Sequence, residues 1–389
     1  LSQAYRFLSP ATVTVYPSPS PTPSAVPTYS VTPETFATTT SSFLLQNSGE
    51  MTAGSLTATG LDIPFTFQGG TYPGTTGTCS TSLVSGSTCL IGTEFSATLV
   101  ATYADSLLVT YDDSGGSTTN STISQALSGT GVGSVQLGMG TSHTCVVFSN
   151  GKLKCWGDGE SGQLGMGDTL DRSYPTTSPY FVSGVSQVVG NGTTTCARLT
   201  TGKVNCWGGG INATHLGDNV TRTSHPSPVE VSGISTASNL CLGPSYACAV
   251  LSSGVIQCWG SNGNGQLGDN TVTSRNLPAN VFGLTTASSV GCGMGTTCAL
   301  LSDQTVNCWG NDGNGELGDG TSGGVFTRPG AVTGVSGATA LWVGGSHACA
   351  KLSGGSLKCW GRDNSGQLGN NAALAGTATP AFVSGYSSA

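Results

Sequence analysis

A chain of 389 residues with 60 glycines, only 8% charged residues and 7% aromatics is no coiled coil or helical enzyme, because helices draw on Ala, Glu, Lys and Leu in quantity. Glycine without a Gly-X-Y period excludes collagen, and 37% hydrophobic residues exclude a wholly disordered chain. The net charge of -7 has no basic cluster behind it: residues 1 to 150 carry Arg6 as their only Lys or Arg against Glu34, Glu50, Asp62, Glu94, Asp105, Asp112 and Asp113. Binding to nucleic acid or anionic lipid by counterion release is therefore not expected.

What remains is a turn-rich all-β protein. No apolar run approaches the ~20 residues of a membrane span, so membrane insertion is not expected. The chain starts at Leu1, as after loss of a signal peptide, although trimming would leave the same start.

Residues 1–30 read as an extended arm. Ala11 to Tyr16 alternate like a strand, with Ala11, Val13 and Val15 on one side and Thr12, Thr14 and Tyr16 on the other. Pro17-Ser-Pro-Ser-Pro-Thr-Pro23 follows as a stiff polyproline spacer. Such a strand gains order by adding to a sheet edge, and the edge is expected to belong to another copy of the chain, reached through Ala11, Val13 and Val15. Docking on its own chain is the alternative, and a disordered tether the plain one.

Residues 31–131 carry short alternating strands such as Ser41 to Gln46, Phe65 to Phe67 and Ser106 to Tyr111 between Gly and Asp turns. That spacing predicts a β-sandwich. The order Phe43-Leu-Leu-Gln-Asn-Ser-Gly49, Cys79 to Cys89, Phe95, Leu107 to Tyr111 and Leu127 to Gly131 resembles bacterial choice-of-anchor immunoglobulin-like domains, and the resemblance implies surface scaffolding.

Residues 132–389 repeat. Cys-Trp-Gly begins at Cys155, Cys206, Cys258, Cys308 and Cys359, at intervals of 51, 52, 50 and 51 residues, the period of a propeller or solenoid unit. Gly-Gln/Glu-Leu-Gly follows at Gly162–Gly165, Gly265–Gly268, Gly315–Gly318 and Gly366–Gly369, whereas the second unit reads Thr214-His-Leu-Gly217.

Fourteen cysteines are present, and six pairs have nine intervening residues: Cys79 with Cys89, Cys145 with Cys155, Cys196 with Cys206, Cys248 with Cys258, Cys298 with Cys308 and Cys349 with Cys359. Zinc sites use closer spacing, so disulfides are expected, and with them an oxidising compartment. Opposed cysteines in each repeat require a hairpin centred on Asn150, Thr201, Ser253, Asp303 and Gly354, with a left-handed residue next. Gly151, Gly202, Gly254 and Gly355 suit that position, and Gln304 is the exception. Cys241 and Cys292 stand outside this spacing; an interblade disulfide is expected, two inert thiols being the alternative. Strand alternation turns each Trp of Cys-Trp-Gly away from its Cys, toward the next unit.

The pattern His-Thr-Cys, Asn-Gly-Lys, Cys-Trp-Gly, Gly-Gln-Leu-Gly over residues 134–389 resembles the regulator of chromosome condensation repeat in a bacterial, disulfide-bearing version. The resemblance implies a β-propeller of four-stranded blades. About five blades are expected, either as a closed ring or as an open arc completed by another element.

Catalytic chemistry on a propeller would sit on inner strands, expected at residues 135–144, 186–195, 238–247, 288–297 and 339–348, and none of these contains Asp, Glu, Lys or Arg. Paired carboxylates are missing from that place. His143 and His347 fall where the family repeat carries a structural His, and Asn311 to Glu316, which resembles a fragment of a calcium loop, coincides with the repeat's turn. No enzyme activity, cofactor or metal is expected.

Three classes of function fit: a secreted structural or adhesive cell-surface protein, for example a filament subunit, whose partners are its own copies, a surface protein or a glycan; a soluble secreted binding propeller, since a β-lactamase inhibitor is built from similar repeats; and a guanine-nucleotide exchange factor. Disulfides disfavour the third, and the extracellular surface protein is the expected one.

Overall fold

The computed structural model describes residues 13–17, 28–31, 39–47, 53–61, 65–84, 86–95, 102–112, 120–131, 134–209, 216–220, 224–372 and 374–386. Their regular structure is β, arranged as seven four-stranded sheets. Two compact units result, residues 1–134 and 135–389.

The first unit runs β1 (Val13–Pro17), β2 (Thr28–Val31), β3 (Thr39–Asn47), β4 (Gly54–Thr59), β5 (Phe65–Phe67), β6 (Thr88–Phe95), β7 (Thr102–Asp112) and β8 (Asn120–Gly131). One sheet has the order β1-β3-β6-β5, the other β2-β8-β7-β4, with β2 parallel to β8. Alternation gives each sheet one apolar face. Phe43, Leu45, Phe65, Ile91 and Phe95 from one, and Leu56, Leu107, Val109 and Leu127 from the other, share a single core. The Cys79–Cys89 disulfide fastens the loop after β5 to β6.

The arm strand β1 lies at the edge of its own sheet, antiparallel to β3, with Val13 opposite Asn47 and Val15 opposite Leu45. In this structure β1 thus adopts the alternative docking on its own chain. Ala11 lies outside the described residues.

The second unit consists of five blades. Blade 1 is β9 (Ser134–Met139), β10 (His143–Phe148), β11 (Leu153–Gly157) and β12 (Arg172–Thr177); blade 2 is β13 (Val185–Asn191), β14 (Thr194–Leu199), β15 (Val204–Gly208) and β16 (His225–Glu230). Blade 3 is β17 (Ala237–Leu242), β18 (Tyr246–Leu251), β19 (Ile256–Gly260) and β20 (Arg275–Asn280); blade 4 is β21 (Ala287–Cys292), β22 (Thr296–Leu301), β23 (Val306–Asn311) and β24 (Val325–Ala331). Blade 5 is β25 (Ala338–Val343), β26 (His347–Leu352), β27 (Leu357–Gly361) and β28 (Thr377–Phe382). Each is a simple antiparallel meander, and first strands of successive blades from β13 onward lie side by side.

Within each blade the hairpin cysteines face one another directly, as Cys145 does Cys155 and Cys349 does Cys359. All five hairpins are closed by disulfides with Cα atoms 4.1 Å apart. Cys241 of β17 is bonded to Cys292 of β21, which ties blade 3 to blade 4.

The turn after each hairpin centre is left-handed: Gly151, Gly202, Gly254 and Gly355 have φ of 77 to 84°, and Gln304 adopts the same conformation at 67°. Bridge and strand pairing impose the turn on a residue with a Cβ, at a cost of about 1 kcal/mol. Gln304→Gly is expected to raise blade stability by roughly 0.5 to 1 kcal/mol, read as an upward shift of the urea midpoint at unchanged m-value.

Candidate functional site

Each blade shows two faces to its neighbours, one carrying the disulfide and the other the Trp. The Cys face of one blade packs on the Trp face of the following blade, so the Cys-Trp-Gly indoles of blades 2 to 5 are held by the preceding unit, opposite to the direction expected from alternation alone. Four apolar clusters fill four seams: Cys145, Leu153 and Leu164 with Trp207; Cys196, Val204 and Leu216 with Trp259; Cys248, Ile256 and Leu267 with Trp309; and Cys298, Val306 and Leu317 with Trp360. All four indoles are fully buried.

The Gly-Gln/Glu-Leu-Gly segment is the receptor for the indole. Trp207, Trp309 and Trp360 donate their Nε1–H to the backbone carbonyls of Gln163, Gln266 and Glu316 at 2.9, 2.9 and 3.0 Å. The final glycine lies under the ring: a Cβ on Gly165, Gly217, Gly268 or Gly318 would come within 2.6 to 2.9 Å of an indole atom. Only glycine permits that approach, which explains the motif.

A polar seam runs beside the indoles. The Thr195 hydroxyl donates to the Gln163 carbonyl at 2.8 Å, which obliges His143 Nε2, 2.7 Å away, to carry the proton it shares with Thr195. His143 Nδ1 is left buried without a partner. Burial pushes the His143 imidazole down to about 4, against a weaker upward pull from the Asp158 carboxylate. In blade 3 Tyr246 replaces the histidine, and its phenol donates across the seam to the Thr296 carbonyl at 2.8 Å. His143 is therefore a structural bridge between blades, and His347, at the corresponding place in blade 5, is half-buried.

The segment Asn311 to Glu316 turns its carboxylates inward. Glu316 accepts from the backbone N–H and side-chain amide of Asn314, and Asp312 Oδ1 accepts from Leu317 N at 3.0 Å. Asp312 Oδ2 has no partner, and burial, with help from Asp319 and Glu316, lifts its carboxyl to about 6. In blade 3 the equivalent residue is Asn262, whose amide donates to Asp269 at 3.1 Å and to the Thr271 carbonyl at 3.0 Å. Asp312→Asn is expected to stabilise the protein by about 1 to 2 kcal/mol at pH 7, with the gain fading toward pH 4 as the native carboxyl protonates. Thermal melts at the two pH values check it.

Among the described residues, the one cluster of metal-type ligands is Cys241, Cys248 and Cys292, whose sulfurs are all in disulfides. The first strands β13, β17, β21 and β25 carry no ionisable acid or base. The exposed apolar residues near them are Leu137, Met139, Met294 and Trp342, and a depression of about 340 Å³ is lined by Pro244, Met294 and Val343 among others. Such surface suits macromolecular contact better than acid–base chemistry.

The outer face of blade 5 breaks the pattern. Leu357 and Cys349 are half-buried and Gly369 is exposed, whereas their counterparts in blades 1 to 4 are buried. Trp342 sits opposite Cys349 and is 55% exposed. No contact comparable to the four seams joins blade 5 to blade 1 among the described residues.

Residues 135–163 and 343–367 match one model of the regulator of chromosome condensation (RCC1) repeat, and residues 150–197 and 253–300 match a second. A 131-residue stretch is 33% identical to the ultraviolet-B receptor UVR8 of Arabidopsis thaliana, covering 33% of this chain and 30% of that protein, so the match spans less than a third of the relative's length. Human WBSCR16 superposes with a TM-score of 0.58 at 21% identity, covering 65% of this chain and 67% of its own. Prp20p of Saccharomyces cerevisiae gives a TM-score of 0.44 at 17% identity, covering 64% and 76%. The second unit is an RCC1-type repeat propeller.

Proposed function

We propose that this chain is an extracellular, non-enzymatic protein of a bacterial cell surface, structural or adhesive in role, in which an immunoglobulin-like first unit accompanies a propeller that binds other proteins. The observation that carries the reading is the set of seven disulfides, one in every blade hairpin, one between blades and one in the first unit. Reducing compartments do not maintain such a set. Inner strands without ionisable groups and exposed Met and Trp side chains agree with it.

Surface shaving of intact source cells, followed by peptide mapping without reduction, tests the reading. Disulfide-linked hairpin peptides released before lysis are expected. Release only after lysis, with alkylatable thiols at these positions, would overturn it.

A second reading is a soluble secreted binder or inhibitor that acts as a single molecule. The pairing of β1 with its own β3 favours it, because the arm then needs no neighbour. Native particle mass decides: filaments or large assemblies support the structural role, and monomers at high concentration support the binder.

A further inference from the structure

We propose that the loop joining β23 to β24 in blade 4 holds a calcium ion between Asp312 and Asp319, where blade 3 places a side-chain amide. The site goes beyond the reading above and does not depend on it.

Blade 3 shows the cage. Asn262 is buried, its Oδ1 accepts from Leu267 N at 2.9 Å, and its amide nitrogen points into a ring of oxygens. These are Asp269 Oδ1 at 3.1 Å, the carbonyls of Thr271 and Thr273 at 3.0 and 3.2 Å, and the Thr271 hydroxyl at 3.3 Å. An amide NH2, which only donates, suits such a lining. Arg275 pairs with the Asp269 carboxylate at 2.7 Å, so the one acid is matched by one base.

Blade 4 keeps this frame and changes its filling. Leu317 N donates to Asp312 Oδ1 at 3.0 Å. Thr321 N and Oγ1 donate to Asp319 Oδ1 at 2.8 and 2.7 Å, as Thr271 does to Asp269 at 3.1 and 2.7 Å. With Oδ1 fixed in this way, Asp312 Oδ2 takes the place of the Asn262 amide nitrogen and aims at the oxygens that the amide would have bonded. Asp312 is fully buried, and among the described residues its Oδ2 has no partner. A buried carboxylate oxygen facing other acceptors is unfavourable unless a proton or a cation lies between them.

Charge favours the cation. Glu316, buried where blades 1, 3 and 5 carry Gln163, Gln266 and Gln367, adds a third acid to the loop. The strand position of Arg275 is held here by Phe326. Arg328, the only Lys or Arg between residues 287 and 331, donates to Asn270 and lies over the Phe282 ring. Blade 5 pairs Asp363 with Asn370, so of these three blades only blade 4 sets two carboxylates against each other. Carboxylate and carbonyl oxygens select a hard cation, and calcium accepts irregular oxygen shells that magnesium does not. Asp319 is half-buried and Thr321 exposed, which gives the ion a way in and water to complete its shell. Two side chains and backbone carbonyls make the site, unlike the cluster of three side chains that the cysteines form.

Calorimetry of the purified, chelator-stripped full chain titrated with calcium chloride tests it. One saturable site with a Kd of about 10⁻⁴ to 10⁻³ M is expected, together with a higher melting midpoint in calcium than in chelator. Asp312→Asn and Asp319→Asn should each weaken binding at least about tenfold, and Asp363→Asn should leave it unchanged. Asp312→Asn repeats the filling of blade 3, and a native circular dichroism spectrum checks that it is folded. The pH behaviour derived for Asp312 belongs to the calcium-free protein, so the stability gained by Asp312→Asn should appear in chelator and shrink in saturating calcium. No saturable uptake up to about 10 mM calcium, or equal affinity in Asp312→Asn, would overturn the assignment. An equal gain from Asp312→Asn in calcium and in chelator would also overturn it and leave a proton shared by the two carboxylates as the occupant.

Discussion

Trp309→Ala is expected to destabilise the propeller by about 3 to 5 kcal/mol. Trp309 is fully buried among Cys248, Ile256, Leu267 and Val281, and its Nε1–H satisfies the Gln266 carbonyl. Truncation removes the ring, leaves a cavity in a seam without a separate core beneath it, and strips one donor from a buried carbonyl. Trp156→Ala, made on a half-buried indole, is expected to cost much less. In a repeat array each blade leans only on its neighbours, so the Trp309 loss should appear as hydrogen exchange in blades 3 and 4 before it appears in the first unit. Equal costs for the two tryptophans would mean that the seams do not hold the array together.

The second large effect is acid lability set by His143. Its imidazole is held near 4 in the folded protein against an ordinary value of 6.5. Above 6.5 it is neutral in both states and its seam is intact; as pH falls from 6.5 to 4 the unfolded chain takes the proton first, so stability falls, by about 3 kcal/mol at the lower end. Asp312 works against this. Its carboxyl, near 6 when folded against 3.8 ordinarily, binds a proton in the folded state first, so stability rises as pH drops from 6 to 3.8. The two nearly cancel between pH 6 and 4 in the native protein. The expected result is that Asp312→Asn uncovers the histidine slope and that adding His143→Gln flattens it again. Chemical denaturation across that range reads it directly, and a native-like flat profile in Asp312→Asn would show that His143 is not held as the geometry implies.

The parts of this molecule most legible in its sequence were those fixed by short-range geometry. Cysteines ten apart around a turn residue define a hairpin, its centre and its register, because direct opposition is the one arrangement that bridges them. Gln304 shows the strength of that constraint, since it obeys the turn without being glycine. Less legible was anything that depends on which neighbour stands where. Alternation places Trp207 opposite Cys206 in facing but does not say that the ring enters the preceding blade. The arm strand reads equally well as a donated or a retained edge, because β pairing depends on backbone and not on sequence. The greater exposure of blade 5's Cys face was invisible for a simpler reason: Gly366 to Gly369 repeats the internal motif.

The most direct measurement is hydrogen exchange of the six indole N–H groups, resolved in a nitrogen–proton correlation spectrum of the full chain. Trp207, Trp259, Trp309 and Trp360 are expected to exchange slowly, behind four closed seams, while Trp342 and Trp156 exchange rapidly. Protection of Trp156 and Trp342 equal to that of the other four would contradict the account in which four seams between successive blades enclose Trp207, Trp259, Trp309 and Trp360 alone.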